Sequence, residues 1–412
     1  MLLSRWSPRF FCVLGWVAGG CAAYEGASSQ PSAILEPDAS RGSAADGDDG
    51  SGQDLLGDGG VKHVSAASSG ESMPVAKPAE EKPKADAKPK DACGKFVMPK
   101  DCKNAEGRPL PNELRCTGLY ADWESRQLAC GVTAYTPAYE LWSDGAKKQR
   151  WVALPEGGKV DAARPEAFNY PVGTQFWKEF RISVQGKERL AETRLLRKAD
   201  KGWLYTSYVW DDKGDQAVQA NDGVKDLFGT DYAVPPLEQC KQCHSGREDF
   251  VMGWDPILLG PGAKGATFEG LIASGTLQNA KGPAPAIPGV VDHDRLALAY
   301  LHVNCGVSCH NPQGDAKDSG FFMRLDTDKL KDLSTTPTFD TGLYKKPWEN
   351  AKIQSLTPPA DMPFVDMYLS RPDASLVLVR MQTRGSEAQM PPIATRHVDE
   401  EGVKIVRALL EP

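Results

Sequence analysis

Thr174-Gln175-Phe176-Trp177-Lys178-Glu179-Phe180-Arg181-Ile182-Ser183-Val184, followed by Leu190 to Lys198 and then Trp203 to Trp210, is the stretch whose pattern decides a fold. Each run is short and rich in β-branched and aromatic residues, and turn signals at Val184 to Lys187 and Asp211 to Gly214 bound them, which is the signature of antiparallel strands. Gln149 to Leu154 adds a strand upstream, stopped by Glu156-Gly157-Gly158. We expect an antiparallel β domain over residues 135–234, with a sandwich as one form it could take. Its aromatic residues (Trp142, Trp151, Trp177, Trp203, Tyr205, Tyr208, Trp210) either fill a core and brace a sheet face or frame a binding groove.

Downstream, Cys240-Lys241-Gln242-Cys243-His244 changes the chemistry. Two cysteines separated by two residues, with histidine next, place two sulfurs against the haem vinyl groups and the imidazole under the iron, so the pentapeptide reads as a c-type haem attachment site. A second copy, Cys305-Gly306-Val307-Ser308-Cys309-His310, has three residues between its cysteines, and the extra one has to be absorbed as a bulge. Asp294 to Val303 reads as a helix leading into it, Met390-Pro391-Pro392 follows on a long loop, and Glu400 to Leu410 reads as a closing helix. That order is the one found in a small cytochrome c domain, with His310 and Met390 as axial ligands; as an alternative, Met390 is a core residue. The four cysteines also admit a four-thiolate zinc site.

For the first haem, His244 is the proximal ligand and the distal one is open among Met252, His302 and His293, with Met323, Met362, Met367 and Met381 as weaker candidates. Arg194 and Arg197 are expected at the surface, with a bidentate contact to a haem propionate as the alternative. Arg247, Glu248 and Asp249 lie close in sequence after the first motif, and none is placed by sequence as an acid or base.

The N-terminus points to export. Arg5 and Arg9 precede the apolar run Phe10 to Val17, too short for a permanent span, and Ala18-Gly19-Gly20-Cys21 resembles a bacterial lipobox. Residues 1–20 read as a lipoprotein signal peptide, which takes Cys12 with it, and Cys21 as the lipid acceptor; an ordinary cleaved signal is the alternative. Residues 21–92, which include His63, are Ser, Gly, Ala, Asp, Lys, Pro and Glu with hardly an aromatic, a composition that cannot offset the entropy of ordering, so a disordered tether is expected. With ten cysteines in 412 residues, Cys93, Cys102, Cys116 and Cys130 are left over and are expected to make two disulfides in one of three pairings, stapling residues 93–134. The net charge of −7 gives no case for nucleic acid.

Tyr139 to Lys148, Pro171-Val172-Gly173-Thr174, Glu192-Thr193-Arg194-Leu195-Leu196, Tyr208-Val209-Trp210, Cys240 to His244, Tyr300 to His310 and Met390-Pro391-Pro392 together resemble an uncharacterised family of exported bacterial dihaem c-type cytochromes, that is, cytochrome c domain lipoproteins. The likeness runs from about Tyr135 to the C-terminus and implies two haem c groups, a first haem segment over 235–285 and a mainly α-helical cytochrome c-like domain over 286–412. The fold class expected is therefore α+β multidomain. The family's usual second motif is a regular Cys-x-x-Cys-His, from which Gly306-Val307-Ser308 departs.

The function expected is that of an electron carrier at the cell envelope, an outer-membrane lipoprotein facing the periplasm or the surface, with redox donor and acceptor proteins as partners. A dihaem peroxidase-like enzyme with one open haem, or a redox subunit of a periplasmic dehydrogenase docking through its β domain, are the alternatives.

Overall fold

A computed structural model describes residues 93–410 except 105, 107, 288–291, 320 and 331–374. The signal peptide, Cys21, the tether, Met362 and Met367 lie outside the described residues.

Seven strands make one sheet: β1 (Val132–Thr136), β2 (Lys147–Ala153), β3 (Gln175–Val184), β4 (Lys187–Ala199), β5 (Gly202–Trp210), β6 (Ala217–Gln219) and β7 (Lys264–Gly265). Their order is β7-β1-β2-β3-β4-β5-β6, so six sequential strands form a meander and the last returns to the edge beside β1. All of its pairings are antiparallel. The four strands expected from sequence, Gln149 to Leu154 among them, correspond to β2 to β5; the sandwich does not form, because one long sheet is covered on both faces by other chain.

The hairpin between β3 and β4 is closed by Gln185 and Gly186, both at positive φ (51° and 76°), which is the two-residue turn whose twist matches the strands. A register irregularity at Phe180/Arg181 then lets β3 and β4 bend.

One face of the sheet carries Trp151, Trp177, Leu195, Tyr208 and Trp210, buried against Leu110, Leu114, Leu119 and Tyr120 of the preceding segment. That segment is stapled by Cys93–Cys130 and Cys102–Cys116, which selects one of the three pairings. Polar tips on this face find partners: Trp177 Nε1 donates to Thr117 Oγ1 at 3.1 Å, Trp210 Nε1 to Thr193 Oγ1 at 3.0 Å, and the Tyr208 hydroxyl to the Pro111 carbonyl at 2.9 Å. Most of the aromatic residues read as core or groove are therefore core.

The opposite face has two apolar patches. Phe176 packs with Tyr135, Tyr170, Val251 and Trp254, and Phe180 with Leu227, Tyr232 and Val234. Beyond residue 235 the helices are few and short: α1 (Glu238–His244), α2 (Phe268–Ala273), α3 (Asp292–Leu301), α4 (Leu376–Gln382) and α5 (Glu400–Leu410). Leu301, Val377, Leu378, Met381, Val403 and Val406 join α3, α4 and α5 in one core. A Cβ on Gly402 would come within 2.3 Å of the Tyr300 ring, so glycine is what lets α5 lie against α3. Among the described residues no helix is long and apolar enough to cross a membrane.

Candidate functional site

Both Cys–Cys–His motifs open onto one cavity of about 630 Å³ between the second face of the sheet and the helices. The first motif is α1 itself. The second follows α3 through a π-helical turn, His302–Gly306, in which Val307 N–H donates to the His302 carbonyl and His310 N–H to the Cys305 carbonyl, each at 2.8 Å. The five-residue spacing of those bonds absorbs the extra residue between Cys305 and Cys309, as single π turns do at functional sites.

The two motifs touch. A Cβ on Gly246 would sit 1.6 Å from the Ser308 carbonyl oxygen, and the side chains of Cys243 and Cys309 hydrogen-bond to each other. This contact holds Cys243 strongly in its protonated form and lowers the pKa of Cys309. Burial raises Cys240 and pushes Cys305 up to about 12. All four remain unpaired, while the other four described cysteines are bonded.

The histidines are held alike. His244 Nδ1 lies 2.7 Å from the Phe250 carbonyl and His310 Nδ1 lies 3.0 Å from that of Phe321. A carbonyl only accepts, so Nδ1 carries the proton in each ring and Nε2 keeps its lone pair. Burial pushes His244 down to about 4 and lowers His310, so both rings are neutral. Met390 and Met252 border the same cavity.

His302 and His293 are elsewhere. His302 accepts the Leu325 N–H at 3.0 Å with Nδ1, which leaves Nε2 as the protonated nitrogen, 3.9 Å from Asp255. His293 is 51% exposed and 3.2 Å from Asp294. Neither lines the cavity, whereas Met252, Met323 and Met381 do. Met323 and Met381 belong to the helical core. Arg247 is buried between Asp255 and Asp249, and Glu248 is exposed on Arg164.

Two connections fix the cavity walls. The Trp142 N–H donates to Asn304 Oδ1 at 2.8 Å, beside the second motif. The Asp144 carboxylate accepts from the backbone N–H groups of Arg396 and His397 at 3.0 Å, pinning the loop that carries Met390 to the β region. Sequence reasoning did not find these links, since they join residues about 160 and 250 positions apart.

Nor did it find the sheet's own contribution. Arg150 on β2, Lys178 on β3 and Arg194 on β4 are direct cross-strand partners, and all three line the cavity. Arg194, expected at the surface, is inside, with Nε and Nη2 on the Glu192 carboxylate at 2.8 and 2.6 Å. Arg150 Nη1 reaches Glu140 at 2.7 Å. Arg197 instead holds the Gln175 side-chain oxygen at 2.9 and 2.7 Å.

Among the described residues no group of three or more His, Cys, Asp or Glu is arranged to hold a metal ion, so the four-thiolate zinc arrangement is not formed. Comparison with protein-family models, curated proteins and solved structures finds no match to this chain.

Proposed function

We propose that this chain is a dihaem c-type cytochrome, held at the cell envelope through a lipidated Cys21 and passing electrons between redox proteins of the periplasm or surface. The observation that carries the reading is the matched pair of imidazoles, each with Nδ1 anchored on a backbone carbonyl and Nε2 left to ligate. The donor set fits haem c: two unpaired thiols precede each histidine, and both motifs face one largely apolar chamber. Bound haem would supply reversible one-electron chemistry, tuned by ligand identity, burial and nearby dipoles.

The chain's own residues have separable duties. Cys240, Cys243, Cys305 and Cys309 would hold the groups covalently, and His244 and His310 would be proximal ligands. Met390 would face His310, on a loop held to the β region by Asp144. Helix α3, the second motif, the Met390 loop and α5 follow one another in the order of a small cytochrome c domain, which supports that reading for 286–412. Met252 would be the distal ligand at the first site, since Met323 and Met381 border the cavity but are packed into the helical core.

A peroxidase-like enzyme with one open haem is the second reading, favoured by the cations beside the first motif. A redox subunit of a periplasmic dehydrogenase, docking through the β region where Val172 and Val218 are exposed, is the third reading.

The test is a pyridine haemochrome titration of the full chain with its ferric spectrum. Two low-spin haems per chain, with a sulfur-to-iron band at the red end, are expected. A high-spin component that binds cyanide would favour the enzyme, and a chain purified from a haem-attaching host without haem would overturn all three.

A further inference from the structure

We infer that the cavity wall formed by Arg150, Lys178 and Arg194 is a binding site for one monoanionic carboxylate or small oxyanion. Like charges directly across neighbouring strands repel, so three cations in one row need a compensating reason. Glu140 neutralises Arg150 and Glu192 neutralises Arg194. Among the described residues Lys178 has no carboxylate within ion-pair distance, which leaves its ammonium form without a counter-ion facing the cavity.

The local geometry concentrates that charge. Lys178 Nζ lies 4.9 Å from the centre of the Phe180 ring and the Arg194 guanidinium carbon lies 4.4 Å from the same centre, so both groups gather at one aromatic ring. Lys178 is enclosed by protein except where it borders the cavity, and enclosure together with Arg150 holds its amine well below the ordinary lysine range. Glu192 uses Nε and Nη2 of Arg194, so Nη1 remains as a donor on the residue directly across the strand pair from Lys178. An ammonium and a guanidinium N–H side by side suit the two oxygens of a carboxylate or nitrite. Lys178 and Arg194 both act electrostatically on His244, and Arg194 also on Cys240, which places the anion between the sheet and the first motif.

That chemistry has two sources, a free anion entering the cavity and a carboxylate of a haem bound at the first motif. The inference stands on the sheet, and only the second source rests on the haem reading.

The experiment is calorimetric titration of the full chain, its haem content measured first, with sodium acetate and sodium nitrite at constant ionic strength. Wild type, Lys178→Met, Lys178→Gln and Lys178→Arg are compared. A free-anion site predicts binding of one acetate or nitrite per chain, weakened about tenfold or more in the Met and Gln variants and largely kept in Lys178→Arg. A haem carboxylate predicts no free-anion binding, but a midpoint potential changed by Lys178→Met and Lys178→Gln and kept by Lys178→Arg. Anion binding in a chain without haem would sink the haem reading and leave this site standing. If neither anion affinity nor potential depends on residue 178, the inference is wrong.

Discussion

The two faces of the one sheet are built to opposite rules. Toward the N-terminal segment, Trp151, Trp177, Leu195, Tyr208 and Trp210 are buried, the tips of Trp177, Tyr208 and Trp210 are hydrogen-bonded, and two disulfides close the cover. Toward the helices, apolar patches around Phe176 and Phe180 flank a row of cations and a cavity. Trp177 and Lys178 are neighbours in sequence and belong to different worlds, because successive strand side chains point to opposite faces. The first face shows what stability requires. The second keeps an energetically awkward arrangement that stability alone does not explain, the pattern expected where a structure serves a ligand.

Breaking the first face should have the largest effect. Trp177→Ala removes one of the largest fully buried side chains, and a loss of roughly 3–5 kcal/mol is expected by chemical denaturation. Removing the Cys93–Cys130 bond, which spans 37 residues, should cost roughly 3–4 kcal/mol, seen as a lower melting temperature of the double-serine variant under non-reducing conditions.

Behind the second face, His302 offers a pH signature. Burial depresses it from 6.5 to about 4, so the unfolded chain takes up a proton below 6.5 that the native chain refuses until about 4. Its contribution is therefore present above pH 6.5 and lost as pH falls toward 4, by roughly 2–3 kcal/mol. Asp249, pushed up to about 6 by burial, opposes this over part of the window. The readout is the difference in slope between wild type and His302→Gln, which should be flatter; equal slopes would remove His302 from the account.

The smallest effect sharpens the comparison most. In the absence of added anion, Lys178→Met should be neutral or stabilising by about 1 kcal/mol, since it removes an enclosed amine whose ammonium form has no carboxylate partner. A loss comparable with Trp177→Ala would mean that the two faces do not differ as described.

The meander was legible because hairpins are local: alternation from Thr174 to Trp210 and the Gln185-Gly186 turn are readable within a few residues. The cation row was not, because Arg150, Lys178 and Arg194 become neighbours only through register across three strands. The same reason hid Asp144 beneath Arg396 and the contact of Gly246 with Ser308. His302 lies only three residues before Cys305, yet the π turn between them sends its ring toward Asp255. Cysteine spacing grouped Cys93, Cys102, Cys116 and Cys130 but could not choose among their pairings, which are set by how the segment crosses the sheet.

The contact between Cys243 and Cys309 bears on time as well as space. In the closed chain the two sulfurs interact with each other and backbone meets backbone at Gly246, so an attaching enzyme would meet thiols that are half-buried and already engaged. On the haem reading, covalent loading is then easier before the sheet closes against the helices than after. Maturation becomes a matter of timing, in which a chain that folds late is loaded faster than one that folds early.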